Sequence, residues 1–140
     1  MADPKKEPKP RPAPVVDSDS AEFWTATIEG RFLLQKCQDC DRFQYYPRAR
    51  CAHCLGPVAW VEASGKGTVY SFTVIHQNFS RAFKHLIPYV VALVDLEEGP
   101  RLMTNVVGCE PDEVSIGAAV RVRFERVSDE AALPMFELDR

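Results

Sequence analysis

Between residues 119 and 126 the chain alternates strictly, with Val120, Val122 and Phe124 on one side and Arg121, Arg123 and Glu125 on the other. That is the period of a half-buried β-strand. A second alternating stretch runs from Thr68 to Gln77, setting Tyr70, Phe72 and Val74 against Ser71, Thr73 and Ile75. Tyr89 to Leu96 is a nearly continuous apolar run, the pattern of a strand covered on both faces. The turn signal Glu97-Glu98-Gly99-Pro100 joins it to Arg101–Val107 as a hairpin. After a loop at 109–117, a last strand at Met135–Leu138 brings the count to five. Upstream the period changes. Phe23, Trp24, Ile28 and Phe32 follow an approximately helical spacing behind Asp19-Ser20-Ala21-Glu22, whose acceptor-x-x-Glu order marks a helix start. The pattern predicts a short amphipathic helix over about residues 20–29 that stops near Gly30.

Five short strands with no long helix between them suit a small antiparallel barrel, because closure removes the exposed edges of a small sheet. A five-stranded OB-like barrel is the natural candidate; a split sandwich and an SH3-like barrel use the same strands. Prolines at 4, 8, 10, 12 and 14, interleaved with Lys and Arg, favour extended, solvated backbone that buries no core. This start reads as a tail, or as a linker behind another domain of a longer protein. The chain therefore divides into a disordered Pro-rich segment at 1–18, a helix at 19–32, a cysteine module at 33–64 and a barrel at 65–140, a mainly β organisation.

Cys37-Gln38-Asp39-Cys40 and Cys51-Ala52-His53-Cys54 form a Cys-x2-Cys-x10-Cys-x2-Cys pattern. Each pair can sit on a tight turn that aims two thiolates at one point, and the residues between suffice for a short two-stranded ribbon. Four sulfurs fill a tetrahedral site and leave no position for water or substrate, so zinc held there supports folding rather than catalysis. Rubredoxin-type iron accepts similar ligands. His53 lies between two cysteines but is superfluous beside a complete thiolate set. Phe43, Tyr45, Tyr46 and Trp60 are expected to pack around the ribbon, which has little other apolar surface. Cys109, the fifth cysteine, reads as a buried, inert thiol.

Composition adds limits. Hydrophobic residues make up 46% and charged residues 26%, ordinary for a folded globular chain. No apolar run approaches the ~20 residues of a membrane helix, and no signal-peptide core is visible. Cysteines in metal-ligand spacing fit a reducing compartment, and a cytoplasmic location follows. The net charge of -3 disfavours nucleic-acid binding, which usually needs a basic field. An OB barrel stacking bases on Tyr70 and Phe72 is the alternative reading.

The order of parts, a Phe-Trp helix, "LLQKCQDCDRFQYYPRARCAHC", "GKGTVYSFTVIH", "PYVVALVDLEEGPRLMTNVVG" and "IGAAVRVRFE", resembles the zinc-ribbon OB-fold proteins of the DUF35 family. The resemblance covers about residues 19–138. It implies a rubredoxin-like zinc ribbon and an OB-fold barrel in a non-catalytic subunit that docks on a thiolase-superfamily enzyme and helps enclose a coenzyme A thioester. Some members of the family follow a hydratase domain. Others partner a lipid-transfer-protein-like thiolase homologue in retro-aldol cleavage, a C–C lyase reaction, of a steroid side-chain CoA thioester. The residues themselves offer no sequence-local nucleophile signature. Their best candidate surface is His76 to Pro88, "HQNFSRAFKHLIP", where Phe79 and Phe83 sit beside Arg81, Lys84 and His85, with His76 at its start. Cations suit the phosphates of coenzyme A, and the phenylalanines suit an acyl chain or a partner groove. Phe23 and Trp24 are expected either to anchor the helix or to meet a partner. A stand-alone acyl-CoA carrier is a further reading.

Overall fold

A computed structural model describes residues 7–140. One helix, α1 (Ala21–Ile28), precedes a three-stranded sheet and a closed five-stranded barrel. The sheet has the order β2-β1-β3, from β1 (Leu33–Cys37), β2 (Phe43–Gln44) and β3 (Val58–Glu62). The barrel runs β4-β5-β6-β8-β7, from β4 (Lys66–Ile75), β5 (Tyr89–Leu96), β6 (Arg101–Val107), β7 (Ala119–Arg126) and β8 (Ala132–Leu138). It closes where Lys66–Thr68 of β4 pair with Ala119–Arg121 of β7. The fifth barrel strand sits between the third and the fourth, the OB order, which excludes the sandwich and the SH3-like barrel.

The helix ends as its glycine predicts. Gly30 takes φ +75°, and the Gly30 and Arg31 N–H groups donate to the Thr27 and Ala26 carbonyls, a Schellman closure. Its start differs from the expected capping box. The N-cap is Ser20, with no side-chain cap bond. The buried Ser20 hydroxyl donates instead to Asp17 Oδ1 at 2.7 Å, and the Ser20 N–H donates to the same oxygen at 2.9 Å. The Ser20 hydroxyl, then the backbone N–H, holds the Asp17 carboxyl below the usual carboxylate range. Eight residues make a helix too short to stand on propensity, so packing holds it.

Most of that packing is aromatic. Phe23 is fully buried, with rings of Trp24, Phe32, Tyr45 and Tyr46 at 4.8 to 6.1 Å from its own. Phe32 carries the contact on to Phe124 of β7 and Phe136 of β8. Thr27 adds a polar link by accepting the Ala132 N–H of β8 at 3.0 Å. Helix, ribbon and barrel thus share one core.

The strands depart from the expected pattern at three places. β5 is not covered on both faces: Val90, Ala92, Val94 and Leu96 point inward, while Val91, Leu93 and Asp95 are only half-buried, because a small closed barrel has one interior. A bulge between Val69 and Ser71 breaks the β4 alternation, so Tyr70 faces solvent while Phe72 and Val74 pack on the core. β8 begins three residues earlier than expected, at Ala132, and includes Pro134. Its parallel pairing to β6 involves Val106–Val107 and Phe136–Glu137, past the proline, so the missing N–H breaks no bond of that seam. Glu7–Val16 has no regular structure but is not a solvated tail throughout: Arg11, Pro14 and Val16 are partly buried. Residues 1–6 of the expected tail lie outside the described residues.

Replacing Phe23 by Ala is expected to cost about 3–5 kcal/mol. Chemical denaturation should show ribbon and barrel losing stability together; a loss confined to the helix would contradict the shared core.

Candidate metal centre and partner-facing loop

The two Cys-x-x-Cys turns are copies of one geometry. In the first, the Asp41 N–H donates to the Cys37 carbonyl at 3.1 Å and Asp41 takes φ +62°; in the second, the Leu55 N–H donates to the Cys51 carbonyl at 3.0 Å and Leu55 takes φ +64°. The left-handed residue turns the chain back so that both thiols of a pair face one shared point, the first cysteine of each pair buried and the second exposed. Gly56 follows the second turn, where a Cβ would meet Asp39 Oδ2 at 2.7 Å, so the two turns abut and a side chain there would require Asp39 to shift.

Backbone donors meet the sulfurs. Asp39 and Cys40 N–H groups lie 3.4 Å from Cys37 Sγ, and the His53 N–H lies 3.3 Å from Cys51 Sγ. Hydrogen bonds from the backbone at Cys54 and His53 hold the Cys51 thiol down to about 7, favouring its thiolate near neutrality.

All four sulfurs lie within 4.8 Å of one another, with Cys37–Cys54 at 3.4 Å and Cys40–Cys51 at 3.7 Å. A tetrahedral zinc with Zn–S bonds of about 2.3 Å needs sulfurs about 3.8 Å apart, so the set fits the ion. Cys37, Cys40, Cys51 and Cys54 are brought together as expected, a structural site in which zinc supplies cross-linking. His53 is exposed and is not among the grouped ligand residues.

Sequence reasoning missed what positions the second turn. Gln35 of β1 and Gln44 of β2 are buried side by side, with Gln44 Nε2 donating to Gln35 Oε1 at 2.7 Å. Gln35 accepts the Arg48 N–H and donates to the Arg48 carbonyl, each at 2.8 Å. Gln44 accepts the Ala52 N–H at 2.8 Å and donates to the Arg50 carbonyl at 3.2 Å. Two amides therefore clamp the irregular 48–52 segment that delivers Cys51. The available signal was two glutamines inside short apolar strands, where a polar residue must find partners. The aromatic expectation is met in part: Tyr45 and Tyr46 pack on Phe23, Trp24 Nε1 donates to Tyr46 Oη at 3.0 Å, and desolvation, then Tyr46, pushes the Tyr45 hydroxyl up to about 12.

The other candidate residues separate into two groups. Phe23 and Trp24 are core residues with 0% and 4% exposure, which is the helix-anchoring role of the two expected for them. The loop residues stay outside. His76, Lys84 and His85 are exposed, Arg81 is half-buried, and Phe79 is 82% exposed, a large apolar group in water. Phe83 is half-buried, its ring 6.4 Å from that of Tyr89. The loop is shaped by Asn78, which donates to Tyr89 Oη and accepts the Ser80 N–H, each at 2.9 Å. Tyr70, the candidate base-stacking residue, has the Arg101 guanidinium 3.3 Å from its ring centroid, with Arg101 also bonded to Asp95 at 2.6 Å. That stacked cation occupies one face of the ring. Phe72 faces the core, so the pair makes no open platform.

A sulfur-saturated zinc ribbon, a buried helix and an OB barrel define the class, and the chain belongs to the DUF35 family. Residues 24–60 match a family profile described as "ChsH2, rubredoxin-like zinc ribbon domain" and residues 60–125 one described as "ChsH2, C-terminal OB-fold domain". A "DUF35 domain-containing scaffold protein" of Methanothermobacter thermautotrophicus is 38% identical over 68% of this chain and 72% of its own. A "probable enoyl-CoA hydratase alpha subunit" of Thermomonospora curvata is 42% identical over 90% of this chain but 39% of its own length. The "3-oxo-4,17-pregnadiene-20-carboxyl-CoA hydratase alpha subunit" of Mycobacterium tuberculosis is 32% identical over 79% of this chain and 35% of its own. The chain thus spans well under half of either hydratase subunit. Among solved structures, a chain of the "Ltp2-ChsH2(DUF35) aldolase" superposes with a TM-score of 0.78 at 38% identity, covering 90% of this chain and 98% of that one. Among the described residues, no helix is long and apolar enough to cross a membrane.

Removing the metal with a chelator is expected to disorder the ribbon and loosen the aromatic cluster. Both tryptophans, Trp24 and Trp60, report on this region. Their emission should shift to the red and return on adding zinc; unchanged emission after verified metal loss would contradict a structural role. Gln44→Leu keeps volume but strands the Ala52 N–H and the Arg50 carbonyl. It should cost about 1–3 kcal/mol and lower metal affinity by about tenfold or more, read by competition with a chromophoric chelator.

Proposed function

We propose that this chain is a cytoplasmic, non-catalytic accessory subunit that assembles with a thiolase-superfamily enzyme and helps form its acyl-CoA site. The favoured reaction of the complex is retro-aldol cleavage of a steroid side-chain CoA thioester, performed by the partner. The observation that carries the reading is the near-complete overlap with the DUF35 chain of the Ltp2-ChsH2 aldolase. The carboxyl-CoA hydratase relative supports a steroid CoA substrate and a hydratase domain fused to or associated with the complex.

The chemistry of the chain agrees. A zinc ion held by four thiolates has no open position with which to activate water or a carbonyl. The remaining thiol, Cys109, is half-buried rather than buried as expected; desolvation, then the Glu113 charge, pushes it up, and it makes a poor nucleophile. The exposed loop offers complementary groups: Phe79 for an apolar groove, and Arg81, Lys84 and His85 for phosphate oxygens.

Affinity purification of the tagged chain from its native cells should recover a thiolase homologue in stoichiometric amount, while the isolated chain shows no turnover. Recovery of no such protein from cells that express one would refute the assignment. Phe79→Ala should leave stability within about 0.5 kcal/mol. It should nonetheless weaken the complex by about tenfold or more, measured by titration of the two purified subunits.

A further inference from the structure

Residues 9–16 carry no helix or strand, yet they stay on the protein. The Lys9 N–H donates to the Arg81 carbonyl at 3.0 Å. The Arg11 guanidinium donates to Asn105 Oδ1 at 3.3 Å, sits 5.8 Å from the Phe83 ring centroid and faces the Glu125 carboxylate at 3.9 Å. These partners belong to the 76–88 loop, to β6 and to β7. Asn105 is itself fixed, since its amide donates to the Val90 carbonyl of β5 at 2.8 Å. Only 17% of the Arg11 side chain remains exposed, and Val16 packs on the core at the far end of the segment.

We propose that residues 9–16 are an intramolecular strap, closed by Arg11, that holds the 76–88 loop against the barrel. Of the loop's own bonds, the Lys84 N–H to the Ser80 carbonyl folds it on itself, and Asn78 to Tyr89 ties it to the start of β5. The strap adds the ties that run from Arg81 and Phe83 across to β6 and β7. Pro10, Pro12 and Pro14 suit the task, because fixed φ angles reduce the conformational freedom lost when the segment is laid down. A few contacts can therefore hold it.

The strap also changes what the loop presents. Lys9 and Arg11 border the same cleft, of about 260 Å³, as Ala82, His85, Leu86 and Arg126. A molecule that reads the loop reads the strap with it, whatever its identity, so the inference does not depend on the proposed partner.

Limited trypsin digestion tests it in the full chain. Lys9 and Arg11 are each followed by proline and resist trypsin, whereas Arg81–Ala82 and Lys84–His85 are open to it. In Arg11→Ala, and in a variant lacking residues 1–12, cleavage at Arg81 and Lys84 should accelerate about tenfold as the loop opens locally. Cleavage at Arg101, inside β6, should stay unchanged. Amide exchange gives a second reading: the Lys9 N–H should be protected in the wild type and lose protection in Arg11→Ala. Unchanged cleavage at Arg81 and Lys84 in both variants, an unprotected wild-type Lys9 amide, or equal acceleration at Arg101 would each overturn the strap.

Discussion

The structure depends on four sulfurs converging within 4.8 Å. Three strands of at most five residues cannot bury enough apolar surface to fold alone, and a shared cation replaces the missing core. Everything around the site brings those sulfurs together. The paired left-handed residues Asp41 and Leu55 reverse the chain, the backbone N–H groups favour the thiolates, and the two buried glutamines hold the segment that carries Cys51.

Order created at the metal does not stay in the ribbon. Tyr45 and Tyr46 follow β2 directly, and their rings close on Phe23 and Trp24 of the helix, while Phe32 leads into β1 and touches Phe124 and Phe136 of the barrel. The aromatic cluster makes one body of parts that differ in how they fold. The cation stabilises the ribbon, inward-facing aliphatic residues fill the barrel, and the helix exists because both bury it. Such a body suits the proposed framework role: its four ribbon cysteines converge on one point, and its 76–88 loop shows apolar area and charge to solvent.

Much of this was legible in the chain. The cysteine spacing announced the site, Gly30 the end of the helix, and Val120, Val122 and Phe124 the inner face of β7. What stayed hidden depends on contacts distant in sequence. A bulge at Tyr70 and a one-sided β5 follow from closing the barrel, which no local pattern encodes. Phe23 and Trp24 look the same in sequence whether they meet a partner or a core. Arg11 sits in a proline-rich stretch of disordered composition, and only its distant partners Asn105, Glu125 and Phe83 give it a place. The role of Gln35 and Gln44 is hidden for the same reason, because their partners are backbone groups of an irregular segment.

The metal acts as scaffold, and the proposed chemistry is the neighbour's. X-ray absorption at the metal edge of the purified protein tests this most directly. Four sulfur scatterers at about 2.3 Å, with no oxygen or nitrogen in the first shell, are the expected result. A shorter oxygen shell from an exchangeable water would mean an open coordination site, and the framework reading of this protein would fail.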